Sequence, residues 1–204
     1  MSAAAPDFYL ASASPRRRDL LAQLRYRFVA LQVDIDETPR PAEDAAALVL
    51  RLAAQKAAAG ARLVELSSPR PVLGADTAVV VDGRILGKPA SPEESMTMLG
   101  LLSGREHRVL TGVALMHSGG LRTALSETRV HFRALSRAEM QRYWASGEPR
   151  DKAGGYAIQG LAASFVERIE GSYTGVVGLP LFETARLLQD SGISGWQQDA
   201  PSDE

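Results

Sequence analysis

The sequence predicts an α/β protein, because short apolar runs suited to buried strands alternate with segments that carry helix start signals. Phe8–Ala11 is an apolar run with aromatic members, and Ser14 followed by Pro15 is typical of a helix N-cap. Val72–Val81 is the strongest apolar run and predicts a central strand buried on both faces. Ser91 begins a capping-box pattern, which predicts a further helix.

The first half of the chain predicts three strands, two helices and a hairpin return. In order, these are strand Phe8–Ala11, a helix from Pro15 to about Arg25, strand Phe28–Val33, the acidic turn Asp34–Pro39, a helix from about Ala42 to Glu65, strand Val72–Val81, the hairpin turn Asp82-Gly83 and strand Arg84–Leu86.

The second half predicts longer strands, three helices and two glycine-rich loops. In order, these are a helix from Ser91 to Ser103, strand Val109–Met116, strand Leu121–Leu135, a helix from Ser136 to Gly147, the loop Gly147–Gly160 with a short strand Tyr156–Gln159, strand Ser164–Ile169, the loop Gly171–Pro180 and a final helix from Leu181 to about Asp190.

Length and composition exclude several classes of protein. With 204 residues, the chain can form one sizeable core or two small lobes sharing a cleft. A net charge of −1 gives no overall field that would attract nucleic acid or anionic lipid. The absence of cysteine excludes disulfides and thiolate metal sites, and no stretch reaches the roughly 20 apolar residues of a membrane span. We therefore expect a cytoplasmic protein with a single domain over residues 8–191, a ragged start at 1–7 and a polar, disordered tail at 192–204.

The first predicted helix begins with three arginines, Arg16 to Arg18. The helix macrodipole favours acids at this end, so each cation there costs roughly 0.3–1 kcal/mol. A bound phosphate would reverse that cost, because backbone N–H groups, the hydroxyls of Ser12 and Ser14, and the guanidinium groups would converge on it. A solvated basic helix start is the alternative, and the combination of serines, proline and arginines favours the anion site.

Two further charges interrupt apolar patterns. Asp76 lies within the Val72–Val81 run, so a metal, a cation or several hydrogen-bond donors should face it. Lys56 is in line with the apolar stripe of the alanine-rich helix, and its spacing leaves open whether it reaches solvent or meets an anion. The hairpin after Val81 should bring Lys88 back towards the level of Asp76.

Together these residues indicate phosphate chemistry. Carboxylates such as Glu37 and Asp76, without histidine or cysteine at ligand spacing, suit Mg or Mn rather than Zn. A divalent ion and basic side chains would offset phosphate charge while a carboxylate orients or deprotonates water. No Walker-type loop is present, which disfavours a conventional NTPase that cleaves the terminal phosphate.

The chain resembles the Maf family of nucleoside triphosphate pyrophosphatases from Tyr9 to about Leu188. The motifs that carry the resemblance are Leu10–Arg17, Asp36-Glu37, Arg51–Ala57, Gly74–Thr77, Gly87–Pro89, Ser103-Gly104 with His107, Thr111–Ala114, the loop Gly147–Gly160 and Gly171–Leu181. The resemblance implies an elongated mixed β-sheet flanked by helices around a central cleft, as in the Maf and ITPase folds. It also implies a homodimer that cleaves a nucleoside triphosphate between its α and β phosphates with a divalent metal cation.

The resemblance also implies roles for individual residues. Asp76 matches the proton acceptor and a metal neighbour, with Glu37 as a second carboxylate near the metal. Residues linked to substrate choice are matched by Arg16, Thr77 and Gln159. Residues that hold the phosphates are matched by Ser12, Ser14, Arg16, Arg17, Lys56 and Lys88.

The loop from Asp151 to Gly160 resembles the branch of the family that acts on dTTP and UTP, where the enzyme would remove non-standard or excess pyrimidine nucleotides. The amide of Gln159 can accept from N3–H and donate to O4 of thymine or uracil, and a mismatched base would leave polar groups unpaired. The alternatives are a pyrophosphatase for 7-methyl-GTP or another modified nucleotide, and a non-catalytic nucleotide-binding regulator of cell division. Net charge disfavours a nucleic-acid partner.

Overall fold

The computed structural model describes residues 5–64 and 70–195, in which strands and helices alternate as the sequence predicts. The strands are β1 (Phe8–Ala11), β2 (Phe28–Leu31), β3 (Val72–Val81), β4 (Arg84–Leu86), β5 (Glu106–His117), β6 (Gly120–Phe132) and β7 (Val166–Glu170). The α-helices are α1 (Pro15–Gln23), α2 (Ala45–Val64), α3 (Pro92–Leu102), α4 (Arg137–Ala145), α5 (Tyr173–Val177) and α6 (Leu181–Gln189). The predicted α/β class is confirmed. Within the described ranges, no helix has both the length and the apolar character needed to cross a membrane.

The strands form a mixed sheet in the order β2-β1-β3-β5-β6-β7, with β4 also paired to β3. Strand β1 is parallel to β2 on one side and to β3 on the other. Strand β4 is antiparallel to β3, and β7 is antiparallel to β6. Because the chain passes from β1 to β2 and then returns to β3 across β1, the strand order reverses at β1. Open α/β sheets bind ligands beyond the carboxyl ends of the strands at such a switch point.

The chain divides into two compact units. As far as they lie among the described residues, the first comprises Met1–Asp76, Gly112–Leu125 and Gly178–Glu204, and the second comprises Thr77–Thr111 and Ser126–Val177. Strands β3, β5 and β6 contribute residues to both units. The cleft expected from the family resemblance stays a prediction.

Helix α2 packs very closely on the sheet of the first unit. A Cβ atom added to Gly74 of β3 would lie 2.7 Å from the backbone nitrogen of Ala57, and one added to Gly112 of β5 would lie 2.6 Å from the carbonyl oxygen of Val49. The helix therefore lies backbone to backbone against both strands. This approach brings Lys56, the neighbour of Ala57, to the level of β3.

The second unit has an aromatic core. The ring of Phe132 packs edge-on against His107, Tyr156 and Phe165 at centroid distances of 4.9, 4.8 and 6.0 Å. Burial lowers the pKa of His107 to about 4, so this ring is neutral at physiological pH. His107 therefore belongs to the core of the second unit.

The prediction of a short strand over Tyr156–Gln159 is wrong. The chain forms a turn there, between 3₁₀ segments at Glu148–Asp151, Ala153–Gly155 and Leu161–Phe165. Two successive glycines, Gly154 and Gly155, take φ values of 69° and 70°, which bend the chain away from an extended course.

Several element limits also differ from the predicted ones. Helix α1 ends at Gln23 because Arg25 adopts a left-handed φ of 55°. Helix α2 begins at Ala45, after an Asp44 side chain that accepts a hydrogen bond from the Ala47 N–H at 2.8 Å. The loop predicted over Gly171–Pro180 contains the short helix α5.

Both predicted termini lie partly outside the described residues. Residues 1–4 and 196–204 are in this category, as is Glu65 at the predicted end of the alanine-rich helix. Of the predicted tail, residues 192–195 are described, and there Ile193 is buried.

Candidate functional site

The turn between β1 and α1 gathers the first polar groups of the site. The Ser12 hydroxyl is buried, and its oxygen accepts hydrogen bonds from the Ser14 N–H and from the Arg17 guanidinium, both at 3.2 Å. The Arg17 Nε donates to the Gly178 carbonyl oxygen at 2.7 Å. Ser14 is the N-cap residue, but its side chain makes no capping hydrogen bond. The turn therefore presents a fixed guanidinium beside an uncommitted hydroxyl at the start of a helix.

Lys56 joins two carboxylates in the first unit. Its ammonium donates to Asp76 Oδ1 at 2.7 Å and lies 2.6 Å from Glu37 Oε1. Lys56 is 9% exposed, so burial would be costly without such partners. The structure thus decides the alternative that the helix spacing left open, because Lys56 meets anions at the edge of the core.

Arg17 belongs to the same electrostatic environment. Burial lowers the pKa of Arg17 from its ordinary value, the charge of Arg16 acts in the same direction, and the carboxylates of Asp76 and Glu37 oppose both effects. Arginine stays protonated even so. The charges of Arg16, Asp76 and Glu37 therefore all act on the Arg17 guanidinium.

We call these six residues of the first unit the charged cluster: Ser12, Arg16, Arg17, Glu37, Lys56 and Asp76. The parallel register pairs Ala11 with Gly74, so Ser12 and Asp76 follow that last pair on neighbouring strands. The cluster consequently lies at the carboxyl end of β1, at the point where the strand order reverses. Its three cations and two carboxylates form an environment that can bind a polyanion while keeping an acceptor for a proton.

The donor chemistry of the charged cluster fits a divalent cation that also uses substrate oxygens. Mg²⁺ is commonly held by one or two carboxylates together with waters and phosphates, and two carboxylates converge here on one ammonium. The Glu37 side chain is 51% exposed, which leaves room for water ligands. Among the described residues, no group of three or more histidine, cysteine, aspartate or glutamate side chains could form an all-protein metal cage.

Three predicted site residues belong to the second unit. Thr77 directly follows Asp76 in β3, and its hydroxyl lies 3.0 Å from that of Thr111. Lys88 and Gln159 are both exposed, the first after β4 and the second in the turn before Leu161. The structure thus brings the charged cluster together, whereas the joint action of these three residues with it stays a prediction.

Sequence reasoning missed a network that holds the Gln159 turn. The Glu148 carboxylate accepts from the Tyr143 hydroxyl at 2.7 Å and from the Leu161 N–H at 3.0 Å. The Tyr143 oxygen accepts in turn from the Ala157 N–H at 3.0 Å. Side chains therefore anchor the backbone on both sides of Gln159, in place of strand pairing.

Sequence reasoning also missed Arg51 and Glu43 as residues near the site. Arg51 donates two hydrogen bonds to the Glu43 carboxylate, at 2.6 and 2.7 Å. The only sequence signal was the position of Arg51 in a motif that also contains Lys56, and its partner lies eight residues earlier, beyond helical i, i+4 spacing.

Comparison with models of protein families gives a match over nearly the whole chain. The family model described as Maf, Maf-like protein, matches residues 7–191. The chain belongs to the Maf family. This match covers the charged cluster, both glycine-rich loops and every described strand and helix.

Curated relatives of this Maf-family chain carry a common name. A protein of Alkalilimnicola ehrlichii named dTTP/UTP pyrophosphatase is 53% identical over 191 residues, covering 92% of this chain and 94% of the relative. Proteins with the same name from Bordetella parapertussis and Hahella chejuensis are each 54% identical, covering 95% and 92% of this chain and 97% and 93% of their own lengths. The solved Staphylococcus aureus Ham1 protein is a distant neighbour, with a TM-score of 0.39, 12% identity, and coverage of 61% of this chain and 71% of its own.

Proposed function

We propose that this chain hydrolyses dTTP and UTP between the α and β phosphates, giving the nucleoside monophosphate and diphosphate. The observation that carries the proposal is the charged cluster at the switch point of the sheet, in which Lys56 bonds to Asp76 and the Asp76 charge acts on Arg17. Membership of the Maf family and relatives named dTTP/UTP pyrophosphatase support the substrate.

The basic residues and hydroxyls would hold the triphosphate. The Arg17 guanidinium is fixed by Ser12 and by the Gly178 carbonyl, so it pays little conformational entropy when it binds an anion. The Ser14 hydroxyl and the first N–H groups of α1 add donors for phosphate oxygens. Arg16 in the same turn, and Lys88 in the second unit, would extend this binding along the phosphate chain.

Asp76 would accept the proton from the attacking water. Its side chain is 14% exposed and carries the Lys56 ammonium at 2.7 Å, which keeps a negative carboxylate compatible with its partly buried position. The water oxygen attacks phosphorus, the anhydride bond breaks, and diphosphate leaves. Lys56 also offsets the repulsion that the carboxylates would otherwise exert on the phosphate oxygens.

We include a divalent cation, Mg or Mn, in the proposal, with Asp76 and Glu37 as the residues that would hold it. Such an ion would neutralise developing negative charge on the phosphate oxygens. The carboxylate pair that converges on Lys56 supports this assignment.

Base choice would depend on Gln159, Arg16 and Thr77. The exposed Gln159 amide can pair with N3–H and O4 of thymine or uracil, and its turn is anchored by Glu148 and Tyr143. The cytoplasmic location and the homodimeric state expected from the sequence stay predictions.

Product identification tests the proposal directly. The purified protein is incubated with dTTP or UTP and Mg or Mn, and the products are followed by phosphorus NMR. We expect dTMP or UMP with diphosphate, in preference to turnover of ATP, GTP or 7-methyl-GTP measured as kcat/KM. Formation of nucleoside diphosphate and free phosphate would contradict the proposal, as would the absence of turnover with every nucleotide.

A further inference from the structure

The segment that carries Glu37 has no regular secondary structure. Residues 32–44 contain neither helix nor strand, yet the Glu37 carboxylate lies 2.6 Å from the Lys56 ammonium. The Glu37 side chain is 51% exposed, so packing alone does not fix its position. Contacts from outside the segment, beginning with this ion pair, therefore help to hold the Glu37 carboxylate.

Arg51 of α2 reaches this segment at two points. Its guanidinium donates to the carbonyl oxygen of Thr38, the residue after Glu37, at 3.1 Å. It also forms the two-pronged pair with Glu43 near the end of the segment. A further bond to the Gln55 Oε1 at 3.1 Å fixes the guanidinium from its own helix. We call Arg51, Glu43 and the Thr38 carbonyl the Arg51 clamp.

The Arg51 clamp is largely buried, and a backbone N–H also bonds to its carboxylate. The Arg51 and Glu43 side chains are 13% and 8% exposed, and the Glu43 carboxylate also accepts from the Arg40 N–H at 3.0 Å. Two-pronged guanidinium–carboxylate pairs restrict geometry more than a point charge such as lysine can. Each end of the Thr38–Glu43 turn is consequently tied to α2, the helix that carries Lys56.

Backbone strain within this turn supports the same conclusion. Ala42 adopts a left-handed φ of 59°, which costs an L-residue roughly 1–2 kcal/mol. Such a conformation persists only where surrounding interactions enforce it, and it is frequent next to functional sites. The next residue, Glu43, is held by Arg51 and by the Arg40 N–H.

We propose that Arg51 is a positioning residue, which through Glu43 and the Thr38 carbonyl holds the 36–43 segment so that the Glu37 carboxylate stands beside Lys56 and Asp76. This inference rests on the proposed function for its effect on turnover. Its structural part, the ordering of the segment by Arg51, does not depend on any activity.

The test compares Arg51→Met and Arg51→Lys with Arg62→Met, a matched control in the exposed last turn of the same helix. Amide hydrogen exchange is measured at Thr38 and Arg40, whose N–H groups bond to Asp36 and Glu43. We expect exchange at both sites to rise at least about tenfold in the two Arg51 variants and to be unchanged in the control. Wild-type exchange at both sites in Arg51→Met would overturn the inference, whether or not the protein turns over any nucleotide.

A double-mutant cycle with Glu37→Gln tests the functional part. Displacement of a reacting group by about 1 Å can lower turnover about 100-fold, so we expect a loss of that order in kcat/KM for Arg51→Met. In the Glu37→Gln background, the same change should cost less than about threefold, because its effect passes through Glu37. An undiminished loss in that background would contradict the positioning role, as would full rescue by Arg51→Lys.

A second variant excludes simple unfolding. Arg51→Met leaves the Glu43 carboxylate without its partner, whereas Arg51→Met combined with Glu43→Leu removes both charges. We expect this double variant to recover thermal stability but to keep the fast exchange at Thr38 and the low kcat/KM. Recovery of exchange protection and turnover together with stability would overturn the inference.

Discussion

Lys56 shows most clearly how a single charged residue shapes this site. An ammonium at the edge of an alanine-rich helix face is stable only with partners, and Asp76 and Glu37 supply them at 2.7 and 2.6 Å. Lys56 also stabilises both carboxylates, because its ammonium lies between their negative charges. Removal of Lys56 therefore takes this cation from both carboxylates, whereas removal of either carboxylate leaves Lys56 paired with the other.

The substitution Lys56→Met should lower the free energy of unfolding by about 3 kcal/mol, since it leaves the Asp76 carboxylate largely buried without its cation. Urea unfolding measures this change. The exposed Lys88→Met is the matched control, and we expect a change within about 0.5 kcal/mol for it. Adding Asp76→Asn to Lys56→Met should restore part of the lost stability, and a further loss would contradict the pairing.

Glu43 should make stability depend on pH in the acid range. The hydrogen bonds that Glu43 accepts, chiefly from Arg51 and also from the Arg40 N–H, lower the pKa of Glu43 from 4.5 to about 2. The folded-state pKa lies below the unfolded value, so the stabilisation is present above pH 4.5 and disappears as the pH falls towards 2. Unfolding free energies measured at pH 5, 4 and 3 should therefore fall more steeply in the wild type than in Glu43→Gln. Parallel pH profiles would contradict this role of Glu43.

At the scale of elements, the close approach of α2 to β3 and β5 fixes the position of Lys56 relative to Asp76. Gly74 and Gly112 have no side chain where the backbone of α2 passes, and this allows the helix to carry Lys56 up to Asp76. Strand β3 continues past its last pair with β1, and Asp76 lies in that continuation. Close packing and strand length thus act together to place the carboxylate.

Gly74→Ala should be destabilising, because its Cβ would lie 2.7 Å from the backbone nitrogen of Ala57, which cannot move independently of α2. Overpacking of this kind costs about 1–3 kcal/mol, and we expect a matching fall in the free energy of unfolding. Gly100→Ala in α3 is the control, since its Cβ would have no neighbour within 4 Å. That variant should be neutral or more stable by up to about 1 kcal/mol, and equal effects of the two changes would contradict the packing argument.

Elements with strong local signals could be predicted from the sequence. The predictions of β3 and of the Ser14-Pro15 start of α1 are confirmed, because burial on both faces and proline at the first helical position leave local patterns. The mostly apolar run Tyr156–Gln159 predicts a strand, whereas the structure has a turn there. Its course depends on Glu148 and Tyr143, contacts that no local pattern displays.

The candidate site was predictable to a similar degree. Interruption of an apolar run pointed to Asp76, and a cation in an apolar stripe pointed to Lys56. That these two residues bond to each other depends on the packing of α2, and the Arg51 clamp depends on a contact across an irregular segment. Both are tertiary facts, which spacing along the chain does not encode.

At the scale of the whole molecule, the order of the parallel strands accounts for the location of the charged cluster. The order reverses at β1, whose last pair with β3 joins Ala11 to Gly74. Ser12 follows that pair after β1, and Asp76 follows it within the continuing strand β3. A net charge of −1 means that attraction for a polyanion is confined to such a local concentration of arginine and lysine. On the proposed function, the fold therefore concentrates positive charge for the triphosphate at one place on a chain with almost no net charge.

The most direct test is the steady-state rate of dTTP and UTP cleavage by Asp76→Asn, compared with Asp82→Asn in the exposed turn after β3. Circular dichroism and thermal unfolding establish that both variants are folded. We predict a fall in kcat of at least about 100-fold for Asp76→Asn, because the amide cannot accept the proton from water, and wild-type kcat for Asp82→Asn. A folded Asp76→Asn enzyme with near-wild-type kcat would contradict the account.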